Sequence, residues 1–277
     1  MLSRLSPLAQ RTISPRLLSN AQRTLVNISY PSPKIAVLEL DRPPVNSLSL
    51  EMSAKIVESI KEIESNPEVQ AMVLKSSNPK IFSAGLDITE MNRPTVARLE
   101  DFWRNIQTLF LTLYSTRLST IASIDGHSPA GGCLLAMSCD YRIMSATPSY
   151  KIGLNETKLG IAAPYWLKDL FVTTIGYREA EVGLALGKLY SPKEALEIKL
   201  VDELVDSPVI DVALKRADEW ASIPEKGRVA SKVMLRGAMI QDLEEKREMD
   251  VGWFRDFIME EGVQKGIEGY LKNLSKK

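Results

Sequence analysis

One glutamate, Glu156, and two glycine-containing segments are the residues of this chain best suited to chemistry. The segments are 82–88, Phe-Ser-Ala-Gly-Leu-Asp-Ile, and 125–133, Asp-Gly-His-Ser-Pro-Ala-Gly-Gly-Cys. Each follows an apolar, strand-like run and precedes a helical pattern, where free backbone N–H groups can converge on an anion. Two such N–H groups would form an oxyanion hole, and a nearby carboxylate could move a proton on the carbon next to the polarised carbonyl. The residues therefore predict proton transfer by one carboxylate, without a metal or an organic cofactor.

The glycines of both segments could instead serve only turns and close packing. Their contexts favour a site, because Ala84-Gly85-Leu86-Asp87 and Pro129-Ala-Gly-Gly132 place small residues before a helix start, where a bulky side chain would block a ligand. Glu156 could likewise be a solvated surface charge. Its neighbours favour burial, which would raise the pKa of the carboxyl group toward a value useful for a general base. These apolar neighbours are Leu154, Leu159 and Ile161.

His127 is the only histidine of the chain, which leaves most metal and hydrolytic sites without a key residue. No Cys-x-x-Cys pair is present, so a zinc site lacks ligands. The stretch Gly126-His-Ser-Pro-Ala130 resembles the nucleophile elbow of a serine hydrolase, with Ser128 as nucleophile, but such an enzyme needs a later histidine as its base. Neither Gly-x-Gly-x-x-Gly nor a P-loop occurs, so the sequence lacks the glycine-rich loops that usually bind a dinucleotide or the phosphates of a nucleotide.

Composition is that of a globular protein of one large or two modest domains, with 277 residues. The 35 basic and 35 acidic residues cancel, so no broad basic surface points to nucleic acid or to an anionic membrane. No apolar stretch reaches the roughly 18 residues that a membrane span needs. Cys133 and Cys139, the only cysteines, lie in an apolar helical run and predict reduced core thiols.

The first 38 residues contain no Asp or Glu, whereas arginines recur among Leu, Ser and Thr at positions 4, 11, 16 and 23. This composition is typical of a mitochondrial transit peptide, although a merely basic tail would also have it. We predict a leader of residues 1–23. Its removal would leave the mature chain mildly acidic, because four basic residues and no acidic ones are lost.

Apolar strand patterns alternate with helical patterns in the first two thirds of the chain, which predicts an α/β fold with a mainly parallel sheet and crossover helices. The predicted strands are 35–40, 69–75, 120–124 and 141–144, and the predicted helices between them are 46–63 and 131–138. Beyond about residue 191 only helical periodicity is evident, at 192–198, 209–221 and 224–240. We therefore expect a core domain of residues 24–222 and a C-terminal helical region of residues 223–277.

From about Val26 to the C-terminus the chain resembles the crotonase superfamily. Four motifs carry the resemblance: Pro44-Val-Asn-Ser-Leu-Ser49, Phe82-Ser-Ala-Gly-Leu-Asp87, Pro129-Ala-Gly-Gly-Cys133 and Gly153-Leu-Asn-Glu-Thr157. A fifth, Ala163-Pro-Tyr-Trp-Leu-Lys-Asp169, is similar to the isomerase branch rather than to the Gly-rich stretch usual in hydratases. The resemblance implies a spiral of ββα turns, a C-terminal helical trimerisation region, and acyl-CoA binding between the two.

The resemblance also implies roles for individual residues. Glu156 would be the catalytic base, and the backbone N–H groups of Leu86 and Gly131 would form the oxyanion hole. Asp87 and Glu90 are the next candidates for the base. The implied substrate-binding residues are Ala84, Gly85, Leu86, Asp87 and Ile88 along the CoA and thioester, Gly131, and Asn155 at the acyl pocket.

Leu134 is a departure from the hydratase branch of the superfamily, in which two glutamates are catalytic. One lies at the position of Glu156, and the other just after the glycine pair, where this chain has Leu134. Adding water needs two groups, whereas a 1,3-proton shift can use one base that takes a proton from C2 and returns it to C4. The expected activity is therefore conversion of 3-cis- or 3-trans-enoyl-CoA to 2-trans-enoyl-CoA in the oxidation of unsaturated fatty acids. The expected enzyme is a homotrimer of the mitochondrial matrix that needs no cofactor beyond the CoA of its substrate.

Two alternatives stay open from the sequence. The first is a hydratase or another crotonase-type acyl-CoA enzyme, which Leu134 disfavours. The second is a crotonase-fold protein that binds RNA or acts as a scaffold, because fold alone does not determine function. This second alternative calls for a basic surface, which the near-neutral composition does not provide.

The leader predicts a mature N-terminus between about residues 18 and 30. N-terminal sequencing of the protein from purified mitochondria measures it directly. Recovery of intact Met1 from the matrix would contradict the prediction.

Overall fold

A six-stranded sheet organises the computed structural model, which describes residues 24–206 and 208–274. The predicted leader, residues 1–23, lies outside the described residues. The strands in chain order are β1 (Val26–Ser32), β2 (Ile35–Leu40), β3 (Ala71–Ser76), β4 (Ser119–Ile124), β5 (Ser128–Pro129), β6 (Tyr141–Ser145), β7 (Ile152–Gly153) and β8 (Glu203–Val205). The large sheet has the order β1-β2-β3-β4-β6-β8; β1 is antiparallel to β2, and the remaining pairs are parallel. The predicted α/β fold with a mainly parallel sheet is confirmed.

Helices cover the sheet and continue into a long C-terminal segment. They are α1 (Leu50–Ser65), α2 (Val96–Ser115), α3 (Gly131–Ser138), α4 (Tyr165–Ile175), α5 (Tyr177–Leu186), α6 (Pro192–Glu197), α7 (Val209–Ala221), α8 (Glu225–Met259) and α9 (Glu261–Leu274). Short 3-10 helices occupy Ile88–Met91 and Glu156–Leu159. None of the helices within the described ranges is long and apolar enough to cross a membrane.

Apart from the end of α8, the predicted strands and helices agree with the structure within a few residues, and α3 and α7 have the predicted bounds. The start of α1 is later than predicted because Ser49 caps the helix, accepting a hydrogen bond from the N–H of Met52. Helix α8 extends 19 residues beyond the predicted end at 240, because widely spaced side chains such as Leu243, Val251 and Phe254 are still buried. The strands β1, β5, β7 and β8 and the helices α2, α4 and α5 were not predicted, and α9 was expected only as part of the C-terminal helical region.

Short parallel pairings form a second layer beside the large sheet. Strands β5 and β7 pair in parallel, with Ser128 opposite Ile152 and Pro129 opposite Gly153. Isolated parallel bridges join Leu48 to Leu86 and Ile81 to His127. Because parallel segments end at the same edge, the residues that follow each pairing are brought together there.

A buried ion-pair cluster anchors the N-terminal half of α8. The carboxylate of Asp140 lies 2.7 Å from Nζ of Lys232 and 2.9 Å from Nη2 of Arg236, and its side chain is only 5% exposed. Lys232 also donates to the carbonyl oxygens of Thr116 and Leu118. Burial lowers the pKa of Lys232 despite the opposing effect of Asp140. Helix α8 is thereby fixed against the end of α2 and the start of β4 and β6.

Candidate active site

A cavity of about 360 Å³ lies between the second layer of short strands and helices α2, α4, α8 and α9. Most of its lining is apolar. The residues predicted for the site gather around it: Ala84, Leu86, Asp87, Ile88, Gly131, Asn155 and Glu156 all line the cavity. Gly85 belongs to the same loop but is not part of the lining.

The N–H groups of Leu86 and Gly131 come from two loops that nearly touch. A Cβ built on Gly85 would lie 2.9 Å from the nitrogen of Gly131, and one built on Gly131 would lie 3.0 Å from the nitrogen of Leu86. Within the described ranges neither N–H group has a hydrogen-bond acceptor. Two unpaired donors at one edge of an apolar cavity are the arrangement that an oxyanion requires.

Helix α3 supplies the second of these donors. Its first residue is Gly131, so the N–H of Gly131 has no partner inside the helix and lies at the positive end of the helix dipole. Ala130, which precedes the helix, has φ 48° and ψ −119°, a conformation that costs about 1–3 kcal/mol for a residue with a side chain. The N–H of Ala130 donates to the carbonyl of Gly153, which holds this turn in place.

The loop that carries Leu86 is clamped by the segment before α1. The N–H of Leu48 donates to the carbonyl of Gly85 at 2.8 Å, and the N–H of Asp87 donates to the carbonyl of Leu48 at 3.0 Å. Asn46 is buried at φ 50°, and its amide reaches Ser76 and the carbonyl of Phe82. The conformation of this loop therefore depends on the Pro44–Ser49 motif.

Asp87, a predicted substrate-binding residue, is itself held by its neighbours. Its carboxylate lies 2.7 Å from Nη2 of Arg42 and accepts hydrogen bonds from the N–H and hydroxyl of Thr89. Burial alone would raise the pKa of Asp87, but the bonds from Thr89 and Arg42 outweigh it and hold the pKa below the usual value. A carboxylate so occupied is a poor base.

Glu90, the other alternative base, is occupied as well. It receives two hydrogen bonds of 2.8 Å from the guanidinium of Arg98 and one of 3.0 Å from the N–H of Leu50. Its carboxylate therefore fastens the start of α1 to α2. This leaves Glu156 as the carboxylate of the cavity that is free of such partners within the described ranges.

Glu156 lies three residues beyond the end of β7, so the pairing of β5 with β7 brings it to the edge where Gly131 begins α3. The residue keeps some exposed surface because it faces the cavity, but protein atoms surround the carboxylate. Burial raises its pKa from 4.5 to about 7, against a smaller opposing effect of its own N–H. A carboxyl group with this pKa can both take and return a proton near neutral pH.

Two neighbours of Glu156 complete this side of the cavity. Asn155 lines it, and its Oδ1 is buried without a hydrogen-bond partner in the described part of the chain. Leu134 lies in the first turn of α3 and also lines the cavity, with 2% of its surface exposed. The position after the glycine pair therefore faces the cavity with an apolar side chain.

Aromatic and aliphatic residues from distant helices form the rest of the lining and were not predicted. They are Trp103 and Ile106 of α2, Trp166 and Leu167 of α4, Phe254 of α8, and Tyr270 and Leu271 of α9. The apolar residues of α2 recur at spacings of three and four, so the helix itself could have been found in the sequence. Their convergence on one cavity depends on tertiary packing, for which the sequence carries no local signal.

The serine-hydrolase and metal alternatives gain no support from the side chains. Ser128 lies within β5, fully buried, rather than on a sharp turn. Cys133 and Cys139 are buried and free, as predicted. In the described residues no group of three or more His, Cys, Asp or Glu side chains could hold a metal ion.

Comparison with known proteins agrees with this geometry. The sequence model of a family described as enoyl-CoA hydratase/isomerase matches residues 32–277. The chain is 44% identical to "Enoyl-CoA delta isomerase 1, mitochondrial" of Mus musculus over 257 residues, which cover 92% of this chain and 89% of the relative.

Solved structures give the same result. The crystal structure of human mitochondrial delta3-delta2-enoyl-CoA isomerase matches with a TM-score of 0.89 and 42% identity, covering 91% of this chain and 99% of that one. An enoyl-CoA hydratase from Bacillus halodurans, at 21% identity and a TM-score of 0.80, shares the fold alone over 89% of this chain and 100% of its own. With two unpaired N–H groups and a buried carboxylate around one cavity, this chain belongs to the enoyl-CoA hydratase/isomerase family.

Proposed function

We propose that this protein is an enoyl-CoA delta isomerase that converts 3-cis- or 3-trans-enoyl-CoA to 2-trans-enoyl-CoA. The observation that carries the proposal is the single unpaired carboxylate of Glu156, with a pKa of about 7, beside two unpaired N–H groups. The Mus musculus relative is named an enoyl-CoA delta isomerase and the human one a delta3-delta2-enoyl-CoA isomerase, which supports the proposal. Leu134 supports isomerisation over hydration, because no second carboxylate is present after the glycine pair to activate water.

The reaction would proceed in two proton transfers on one face of the substrate. The thioester oxygen accepts hydrogen bonds from the N–H groups of Leu86 and Gly131, which makes the protons on C2 more acidic. The carboxylate of Glu156 takes a proton from C2, and the electron pair spreads over the oxygen and C4 as a dienolate. The carboxyl group then returns the proton to C4, the double bond settles between C2 and C3, and Glu156 is again ionised.

Substrate would lie along the predicted loop residues. Within the loop 84–88, every residue except Gly85 lines the cavity beside the proposed oxyanion hole, and the loop is suited to the thioester and the adjoining part of CoA, whereas Asn155 would border the acyl group. The transfer needs no cofactor beyond the CoA of the substrate, because one carboxyl group both removes and returns the proton.

Location and assembly follow from the same family. The acid-free, arginine-containing leader and the mitochondrial relatives support a place in the mitochondrial matrix. A homotrimer is supported by apolar side chains that the isolated chain leaves exposed at the C-terminal region, among them Ile223, Met234 and Leu235. The division into a core of residues 24–222 and a helical region of residues 223–277 stays a prediction.

Replacing Glu156 by Gln tests the proposal. Only the ionised carboxylate can accept a proton, so wild-type turnover of 3-hexenoyl-CoA should fall about tenfold per pH unit below ~7. Glu156→Gln should lower turnover by about two to four orders of magnitude at all pH values, with substrate binding retained. Steady-state rates over a pH series measure both effects, and Glu62→Gln, at an exposed position of α1, is the matched control.

Stability separates loss of the base from loss of the fold. Between pH 4.5 and about 7 the folded protein holds more protons at Glu156 than the unfolded chain, so ionisation of this group destabilises the fold as the pH rises. Glu156→Gln should therefore be no less stable than the wild type at pH 8. Near-normal turnover in the folded variant would assign the base to another residue.

Gly85→Ala tests the oxyanion loops. The new Cβ would lie 2.9 Å from the nitrogen of Gly131 and 2.9 Å from Cβ of Ala130, and the residue has φ +94°, so the two loops must move apart. We expect turnover to fall about a hundred- to a thousandfold, the usual effect of losing one oxyanion donor. Gly237→Ala, where an added Cβ meets nothing within 4 Å, is the control. Unchanged turnover in folded Gly85→Ala would place the donors elsewhere.

Leu134→Glu tests why the enzyme isomerises rather than hydrates. A second carboxyl group near Glu156 would raise at least one of the two pKa values by repulsion, leaving an acid and a base together. We expect measurable hydration of 2-trans-enoyl-CoA, with lower stability because a charge enters a buried apolar position. Leu134→Met keeps the volume and should gain no hydration. The one-carboxylate mechanism fails if the unmutated enzyme already hydrates 2-trans-enoyl-CoA as fast as it isomerises the 3-enoyl substrate.

A further inference from the structure

Asp250 of α8 is a buried carboxylate that the proposed reaction does not use. It is 2% exposed and forms no ion pair with a described residue. One of its oxygens, Oδ2, accepts three hydrogen bonds: from Nε1 of Trp103 at 2.8 Å, Nε2 of Gln107 at 2.7 Å and Nε1 of Trp166 at 3.1 Å. Three helices, α2, α4 and α8, therefore meet at a single oxygen atom.

Both indole rings that bind Asp250 also line the cavity. Phe254 lies one turn after Asp250 on α8. The ring of Trp103 stacks on it, with centroids 3.6 Å apart and planes 6° apart. Trp166 lies 6.0 Å from Trp103 and stacks on Phe110 at 4.8 Å. The helical side of the cavity is thus a connected aromatic wall.

The orientation of this wall depends on the carboxylate as well as on aromatic packing. Stacking on Phe254 and Phe110 constrains the planes of the two indole rings. An indole has one N–H donor, so the hydrogen bond to Asp250 also determines which edge of each ring faces α8. Without the oxygen, two buried N–H groups would also lack partners.

We propose that Asp250 is a positioning residue that sets the acyl-chain selectivity of the enzyme by locking Trp103 and Trp166 into the cavity wall. This inference rests on the proposed function. The cavity, about 360 Å³, is at the low end of the range of roughly 300–1,000 Å³ usual for ligand sites, so a rigid wall limits the acyl group that it can hold. The wall selects for short acyl chains. When the hydrogen bonds of Asp250 to Trp103 and Trp166 are lost, the rings can move and the cavity can hold longer chains.

Two variants separate the role of Asp250 as a hydrogen-bond acceptor from its role in the stability of the fold. Asp250→Asn retains an oxygen acceptor at the position of Oδ2, and its amide nitrogen takes the position of Oδ1, which accepts no bond from a described residue. Asp250→Leu has a similar volume and no acceptor. Isomerisation of 3-hexenoyl-CoA and 3-dodecenoyl-CoA gives kcat and KM for each protein, and calorimetric titration with hexanoyl-CoA and dodecanoyl-CoA gives binding without reaction.

In Asp250→Leu we expect the ratio of kcat/KM for the six-carbon over the twelve-carbon substrate to fall at least about tenfold, the scale on which apolar pockets discriminate methylenes. The change should lie mainly in KM, and the titration should show the same shift. Asp250→Asn should keep the wild-type ratio. If Asp250→Leu does not fold, Trp166→Phe removes one donor and should shift the ratio in the same direction.

Equal losses for both chain lengths, or an Asp250→Asn variant that shifts as Asp250→Leu does, would overturn the inference and leave Asp250 a residue of the fold only. Failure of the proposed function is a different result. In that case no 3-enoyl-CoA is turned over by the wild type, whereas the titrations still show whether Asp250 affects acyl-CoA binding.

Discussion

The parallel pairing of β5 with β7 is the constraint on which the rest of the site depends. Two residues on each strand are enough to place the start of α3 and Glu156 at one edge. The bridge between Leu48 and Leu86 adds the second N–H group to the same edge. The proposed donors and base are thus positioned largely by backbone hydrogen bonds, with the side-chain amide of Asn46 supporting the loop of Leu86, and the large sheet holds the ends of these short segments in register.

This arrangement has an energetic cost in backbone conformation and in the burial of a carboxylate. Asn46 and Ala130 both have positive φ, and the carboxylate of Glu156 is buried without a cation. Each feature would be unfavourable in an ordinary loop, and together they keep two N–H groups unpaired and one base weakly solvated. The buried cluster around Asp140 lies outside the cavity lining, whereas the cluster around Asp250 holds two of the rings that line it. Arg93 and Lys199 also have positive φ, but neither lines the cavity, so positive φ alone does not mark the candidate site.

Local patterns in the sequence predicted the site better than the walls around it. Glycine content and the change from strand to helix pattern indicated the two loop segments and Glu156, whereas the individual roles of Leu86 and Gly131 came from the family resemblance and stay predictions. The strands β2, β3, β4 and β6 are buried apolar runs and were found from this local pattern. Strand β8 has three half-buried residues, so its sequence shows no contrast between buried and exposed positions. Strand β1 is an edge strand with much of its surface exposed, and its apolar pattern is correspondingly weak.

Tertiary contacts account for what was missed at the cavity. Trp103 and Phe254 stack on each other although about 150 residues separate them in the chain, and no spacing rule relates such positions. The C-terminal helices were expected to serve assembly. In the structure they also supply Phe254, Tyr270 and Leu271 to the cavity of their own chain.

Helix α8 is a single rod of 35 residues, about 52 Å long at 1.5 Å per residue. Near its beginning Lys232 and Arg236 tie it to Asp140, close to the exposed Met234 and Leu235, and near its end it carries Asp250 and Phe254. No loop or break divides this helix, so a rotation of one half is not absorbed between the two halves. The ion pairs of Asp140 at one end and the aromatic wall at the other are therefore carried by one element, and a rotation of α8 at its beginning would also move Asp250 and Phe254.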